Sequence, residues 1–133
     1  MTLLIPLQLV SESNQREHWA VRARRVRDQR HTVYLWLRHL LGPPPPLPLT
    51  ITLTRVAPRP LDTDNLVSSF KACQDGAADW LEGRYEHGQD RQAGLSWMYT
   101  QRTGKTHEYA LEVRITPPGS LETSGVPDEV RED

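Results

Sequence analysis

Two aspartates two residues apart mark the stretch of this chain best suited to chemistry, Leu61-Asp62-Thr63-Asp64-Asn65-Leu66. In extended backbone, residues i and i+2 project to the same side, so Asp62 and Asp64 are expected to point together. Two carboxylates held close repel unless a cation or a proton lies between them. Mg²⁺ satisfies such a pair, because it takes one or two carboxylates and completes its shell with water and phosphate oxygens. A helix start just beyond adds positive potential. The same residue types also build turns and helix N-caps. On its own, therefore, D-T-D-N reads either as a cation site or as a structural cap.

Other reactive groups are sparse. His18, His31, His39, His87 and His107 lack paired spacing such as H-x₃-H and read as structural or surface groups. The single Cys73 excludes an intramolecular disulfide and a Cys-rich zinc site, so a reducing cytoplasm is the expected compartment. No apolar run approaches the length of a membrane span. The apolar N-terminus lacks the basic n-region and small-residue cleavage site of a leader.

The net charge of −1 conceals two opposed halves. Residues 1–60 hold nine Arg and no Lys against Glu12, Glu17 and Asp28, a net +6, whereas residues 61–133 hold seven bases against fourteen acids, a net −7. An Arg-rich surface suits phosphates, whose oxygens match the guanidinium fork. A carboxylate cluster suits a hard divalent cation. Arg16, Arg22, Arg24, Arg25, Arg27 and Arg30 are the candidate phosphate contacts, although one helix face cannot present them all. The alternative is that the two halves simply attract each other in the fold.

The elements that must position these groups follow from periodicity. Residues 3–10 suggest a first strand. Asn14 and Glu17 have capping-box spacing, and Trp19, Ala23, Val26, Val33, Leu37 and Leu40 keep a helical period up to Gly42 and four prolines. Leu47, Leu49, Ile51 and Leu53 alternate with Pro48, Thr50, Thr52 and Thr54 as a half-buried strand. A second helix is expected over 64–81, then a polar loop over 82–93. Strands are expected over 94–100 and 109–115, joined by a turn at 102–106. Trp19, Trp36, Trp80 and Trp97 read as core or interface anchors. The order β-α-β-α-β-β predicts an α/β (α+β) fold, with two helices packed on a small mixed sheet. Residues 1–116 form the expected domain, and 117–133 an acidic, disordered tail.

The run Asp62-Thr63-Asp64-Asn65-Leu66, then a helix to Trp80-Leu81, then Asp90-Arg91-Gln92 before two strands, resembles the RusA family of phage-encoded Holliday junction resolvases. In that family a D-L-D-N-L motif opens a helix that ends near a W-L-D-D-x-Q segment. Ile5-Pro6-Leu7, the turn at Ser13-Asn14 and a basic helix also look like the family's opening, so the resemblance covers roughly residues 3–116. It implies that Asp62 and Asp64 are paired metal-binding acids and that Asn65 fixes the turn. It also implies a third acid, Asp90 if residues 82–89 hold an insertion, with Glu82 in reserve. The family's catalytic lysine falls on Ser68 here, and the nearest Lys is Lys71, about one turn further on.

What the resemblance implies is Mg²⁺-dependent (or Mn²⁺-dependent) hydrolysis of phosphodiester bonds in four-way junction DNA. A homodimer with two equivalent sites would cut two symmetric strands, with no small-molecule cofactor. Arg16, Arg22, Arg24, Arg25 and Arg27 would then contact DNA. Two other readings stay open: a junction or duplex binder that has lost cleavage, and a structural phage-type protein in which D-x-D-N is only a cap.

Overall fold

Alternation along one central strand decides how the sheet is layered. The computed structural model describes residues 1–11, 18–82 and 94–117. Its elements run β1 (Thr2–Ile5), α1 (Trp19–Leu41), β2 (Leu49–Ala57), α2 (Thr63–Ser69), α3 (Lys71–Glu82), β3 (Leu95–Thr103) and β4 (Ala110–Thr116). The strands form one mixed sheet in the order β1-β4-β2-β3. β4 lies antiparallel between β1 and β2, while β2 and β3 run parallel, from Leu49 opposite Leu95 to Ala57 opposite Thr103. A parallel pair needs a long crossover, and α2 with α3 supply it. The α+β architecture, the mixed sheet and the order of elements agree with the sequence expectation, apart from the number of helices.

Leu3, Ile5, Ile51, Leu53, Leu111, Val113 and Ile115 share the sheet's inner face and are buried together with Val33 and Leu37 of α1 and with Phe70, Cys73, Ala77 and Leu81. The outer face carries Thr52, Ser96, Thr100, Glu112 and Arg114, as expected for a sheet covered on one side.

The expected helix over 64–81 is two helices. α2 stops at Ser69, and Phe70 caps it with αR backbone angles before α3 starts at Lys71. Ser68 Oγ donates to the Asn65 carbonyl (3.1 Å) and Ser69 Oγ to the Leu66 carbonyl (2.6 Å). Hydroxyls that bond back to the preceding turn bend helices. Phe70, fully buried, turns under the sheet and stacks on Tyr99 with ring centroids 5.5 Å apart. The first strand is also shorter than expected, because Pro6 has no N–H to continue the ladder.

α1 starts, among the described residues, at Trp19, with His18 Nδ1 accepting the Ala20 N–H at 3.1 Å. The expected cap at Asn14 and Glu17 lies outside the described residues. Val33 and Leu37 are buried as expected and Val26 half-buried, whereas Trp19 is 75% exposed, Leu40 59% exposed and Ala23 exposed. A helix of 23 residues spans about 34 Å. Its partner α3, with 12 residues, spans about 18 Å, so α1 is longer than α3, and Trp19 at its first turn is left uncovered by the described residues. The other tryptophans differ: Trp80 is buried, with Nε1 donating to the Gly42 carbonyl at 2.7 Å, while Trp36 and Trp97 are half-buried against the core. No helix of the described residues is long and apolar enough to cross a membrane.

Gly76 sets how closely α1 and α3 approach. A Cβ there would lie 2.3 Å from the Arg30 carbonyl oxygen and 3.0 Å from Val33 Cβ. The obstacle is backbone, which cannot swing aside. Gly76→Ala should therefore lose about 1–3 kcal/mol to overpacking, outweighing the roughly 1 kcal/mol that alanine gains in helix propensity. Urea unfolding should show a lower midpoint, and an unchanged or raised midpoint would mean the helices separate freely.

Cys73 is fully buried among apolar side chains, and desolvation pushes its thiol up to about 12. The thiolate is the reactive form, so Cys73 should react with a disulfide reagent at pH 8 only as fast as the protein opens. The sign for stability follows: the unfolded thiol ionises from its ordinary range near 8.5, whereas the folded one stays protonated. This contribution is complete below that range and is lost as pH rises toward about 12. Rapid labelling in native buffer would contradict the packing.

Candidate functional site: the loop entering α2

The carboxyl ends of the parallel strands β2 and β3 face the loop that leads into α2. Ligands of open α/β units gather beyond such strand ends. Gln101 of β3 fixes this loop by gripping one residue twice. Its Oε1 accepts the Leu61 N–H at 2.9 Å, and its Nε2 donates to the Leu61 carbonyl at 2.8 Å. The paired contact mimics a strand ladder and sets the backbone one residue before Asp62.

Asp62 is the N-cap of α2, in extended backbone at φ −69° and ψ 170°. Its Oδ1 accepts the Asn65 N–H at 2.9 Å, and its Oδ2 accepts from Asn65 Nδ2 at 3.0 Å. Ser11 Oγ donates to Asn65 Oδ1 at 2.6 Å, which ties the motif to the segment after β1. Asn65 thus fixes the turn, the role implied for it by resemblance. The cap reading of D-T-D-N is therefore real for Asp62. Each carboxylate oxygen has a second acceptor site, so capping does not exclude cation binding.

Asp64 differs. It lies in the first turn of α2, is exposed, and has no hydrogen bond or ion pair with the described residues. The expectation that it aligns with Asp62 assumed extended backbone through both residues. Helical backbone begins at Thr63, and each helical residue turns about 100°, so strand-like alternation ends before Asp64. The two carboxylates are neighbours at one helix start, without a shared strand face.

Lys71 opens α3 and is exposed, with Nζ 3.0 Å from Asp75 Oδ1. Ser68, at the position of the family's lysine, is half-buried and bonded back to Asn65. Tyr99 of β3 stacks on Phe70 between α2 and α3 and donates to Gln74 Oε1. Burial pushes its phenol pKa up, while the Gln74 hydrogen bond and the Lys71 charge act in the opposite sense.

Asp90 lies outside the described residues, as does Arg16, and the side chain of Glu82, at the end of α3, is likewise undescribed. Among the described residues no group of three or more potential metal ligands occurs. Of the expected ligands, Asp62 and Asp64 are the ones described at the start of α2, and a cation held by two carboxylates would keep most of its water.

Along α1, Arg22, Arg24 and Arg27 are exposed and Arg25 is half-buried. Spacing sorts them into two i,i+3 pairs, Arg22 with Arg25 and Arg24 with Arg27. The second pair lies opposite the stripe of Gln29, Val33 and Leu37 that α1 buries, so it faces solvent. Arg30 is committed elsewhere: its Nε and Nη2 meet both oxygens of Asp79 at 2.6 and 2.7 Å, joining α1 to α3.

Two important side chains escaped the sequence reading. Gln101 gave no signal. Arg55 did, since it falls on the core side of the alternation Leu49, Ile51, Leu53 and is 8% exposed. Its Nε donates to the Leu9 carbonyl (3.3 Å) and its Nη1 to the Arg59 carbonyl (2.8 Å), joining the segments after β1 and β2. Burial lowers its pKa, and Tyr109 opposes that shift. The chain matches no family model, no curated protein and no solved structure.

Proposed function

We propose that this chain is a Mg²⁺-dependent endonuclease that cuts four-way DNA junctions, in the manner of the RusA-type resolvases its motif resembles. One observation carries the reading. Asp64 keeps an exposed carboxylate without a described partner, two residues after Asp62 in the first turn of α2, just past the loop that Gln101 holds beyond the carboxyl ends of β2 and β3. The capping hydrogen bonds use Asp62 and Asn65 and leave the Asp64 carboxylate, a favourable charge in the first turn, uncommitted.

Asp62 and Asp64 would hold the metal, with Asp90 as the proposed third acid and Glu82 in reserve. Such a metal, when bound, supplies an activated water and stabilises charge on the phosphate. The protein orients the strand. Arg24 and Arg27, on the solvent face of α1, are the leading proposed phosphate contacts, with Arg22, Arg25 and, earlier in the sequence, Arg16 as further ones. Lys71 can join them, because an exposed i,i+4 ion pair is worth only about 0.3–0.5 kcal/mol and does not hold its ammonium back. Two equivalent cuts require a two-fold partner. The apolar depression of about 370 Å³ on α1, lined by Leu35, Trp36 and Leu40, supports a homodimer.

The test is incubation with a labelled four-way junction and with linear duplex, each in EDTA, Mg²⁺ and Mn²⁺. Paired, metal-dependent nicks confined to the junction are expected. A second reading, a junction binder without cleavage, draws on Ser68 in place of the family's lysine and on the Lys71–Asp75 pair. Tight junction binding without nicks would select it. Neither binding nor cleavage would leave D-T-D-N as a cap alone.

A further inference from the structure

Burying a charge is costly unless it is paired, and Arg55 is a buried cation without a carboxylate. It is 8% exposed, and none of the ion pairs among the described residues includes it. Of its five N–H donors, Nε and one on Nη1 are used, both on backbone carbonyls. Nη2 has no protein acceptor among the described residues. Two backbone bonds alone could be made without a full positive charge, so the brace does not explain why a guanidinium sits here.

The surroundings supply a reason. Arg55 lines an open cavity of about 330 Å³ together with Arg59, Tyr109, Ser11 and Leu61. That volume is several times the roughly 30 Å³ a liquid water occupies and admits a tetrahedral oxyanion. Two arginines and a tyrosine line it, with no acidic side chain among the described residues of the lining. The fixed guanidinium fork suits phosphate oxygens. Leu61 closes one wall and directly precedes Asp62.

We propose that this cavity is a phosphate-binding pocket, with Arg55 as its buried anchor and Arg59 as its outer cation. The assignment of the phosphate to a DNA strand rests on the nuclease reading. A backbone phosphate seated beside Leu61 would then fix the strand's register next to Asp62 and Asp64. The pocket itself requires only the phosphate group, which a phosphomonoester also carries.

Arginine Nε–H resonances of the labelled full chain test this in EDTA, so that metal binding plays no part. The probes are inorganic phosphate, chloride at matched ionic strength, and a short single-stranded oligonucleotide without terminal phosphate. The Arg55 signal should shift saturably with phosphate and with the oligonucleotide, but not with chloride. Arg59→Gln, an exposed change that leaves the Arg59 carbonyl in place, should weaken both about tenfold by removing one charge-assisted contact. A response to phosphate alone would keep the pocket and assign it to a free phosphate or monoester. No response beyond chloride, or an unchanged affinity in Arg59→Gln, would overturn the proposal. Arg55→Lys, which cannot span both carbonyls and the cavity, should abolish the phosphate response of the neighbouring Arg59 Nε–H signal where the variant folds. Junction cleavage with an unmoved Arg55 signal would sink the pocket and spare the nuclease reading. Phosphate binding without cleavage would do the reverse.

Discussion

Asp64→Asn should abolish the proposed metal-dependent nicking of a four-way junction and leave the proposed binding of that junction intact or stronger. The asymmetry follows from where the carboxylate sits. Asp64 is exposed and bonds to nothing described, so its charge contributes little to folding beyond a favourable place in the first turn of α2, worth about 0.3–1 kcal/mol. Removing it takes a charged ligand from the proposed cation. Metal ions provide several kcal/mol of transition-state stabilisation, so nicking should fall by at least about a hundredfold. Binding should hold, because a negative charge near the DNA phosphates disappears. Asp62→Ala should behave differently. It loses the Asn65 contacts as well, so about 0.5–2 kcal/mol of stability goes with the activity. The pair of variants separates ligand from cap, since Asp62→Ala should cost more stability in a denaturation curve than Asp64→Asn. Nicking that persists in Asp64→Asn at the wild-type rate would remove Asp64 from any active site.

Phe70→Ala is the largest stability loss expected from one side chain, about 3–5 kcal/mol on the scale of buried aromatic truncations. Phe70 is fully buried, stacks on Tyr99 of β3 and occupies the corner between α2 and α3. Its removal leaves a cavity where neither helix can close, since the Ser68 and Ser69 back-bonds already fix the bend. Much of a marginal domain stability of about 5–15 kcal/mol would go, and equilibrium urea unfolding measures it. The corner also carries the entry to α2, so in any surviving fold the proposed metal response at Asp62 and Asp64 should weaken. A loss below about 1 kcal/mol would mean that Tyr99 and its neighbours collapse into the space. The packing of the α2–α3 corner would then be looser than its burial indicates.

Local rules made much of the architecture legible. Period-two alternation over Leu49–Leu53 and over Leu111–Ile115 identified the central strands, because a sheet covered on one face sorts side chains residue by residue. The Gly42 and proline run located the end of α1, and D-T-D-N located the start of α2, since caps and breakers act on their own few residues. The split at Phe70 was present in Ser68-Ser69, but a hydroxyl bends a helix only when it points back along it, which depends on what the helix packs against.

The site was legible as residue types and less so as geometry. D-T-D-N identified Asp62, Asp64 and Asn65, and their spacing suggested a shared face; the helix boundary at Thr63 decided otherwise. That boundary is set by the Gln101 grip on Leu61 and the Ser11 contact to Asn65, which come from 40 and 54 residues away. Arg55 makes the same point from the other side. Its place in the alternation put it in the core, yet only tertiary structure revealed a guanidinium stitched to Leu9 and Arg59 beside a cavity. By itself the sequence determined which elements form and which residues carry charge, because propensity and periodicity are local. Tertiary structure alone decided which of those charges stay free, because partners meet only when distant strands and loops close on one another.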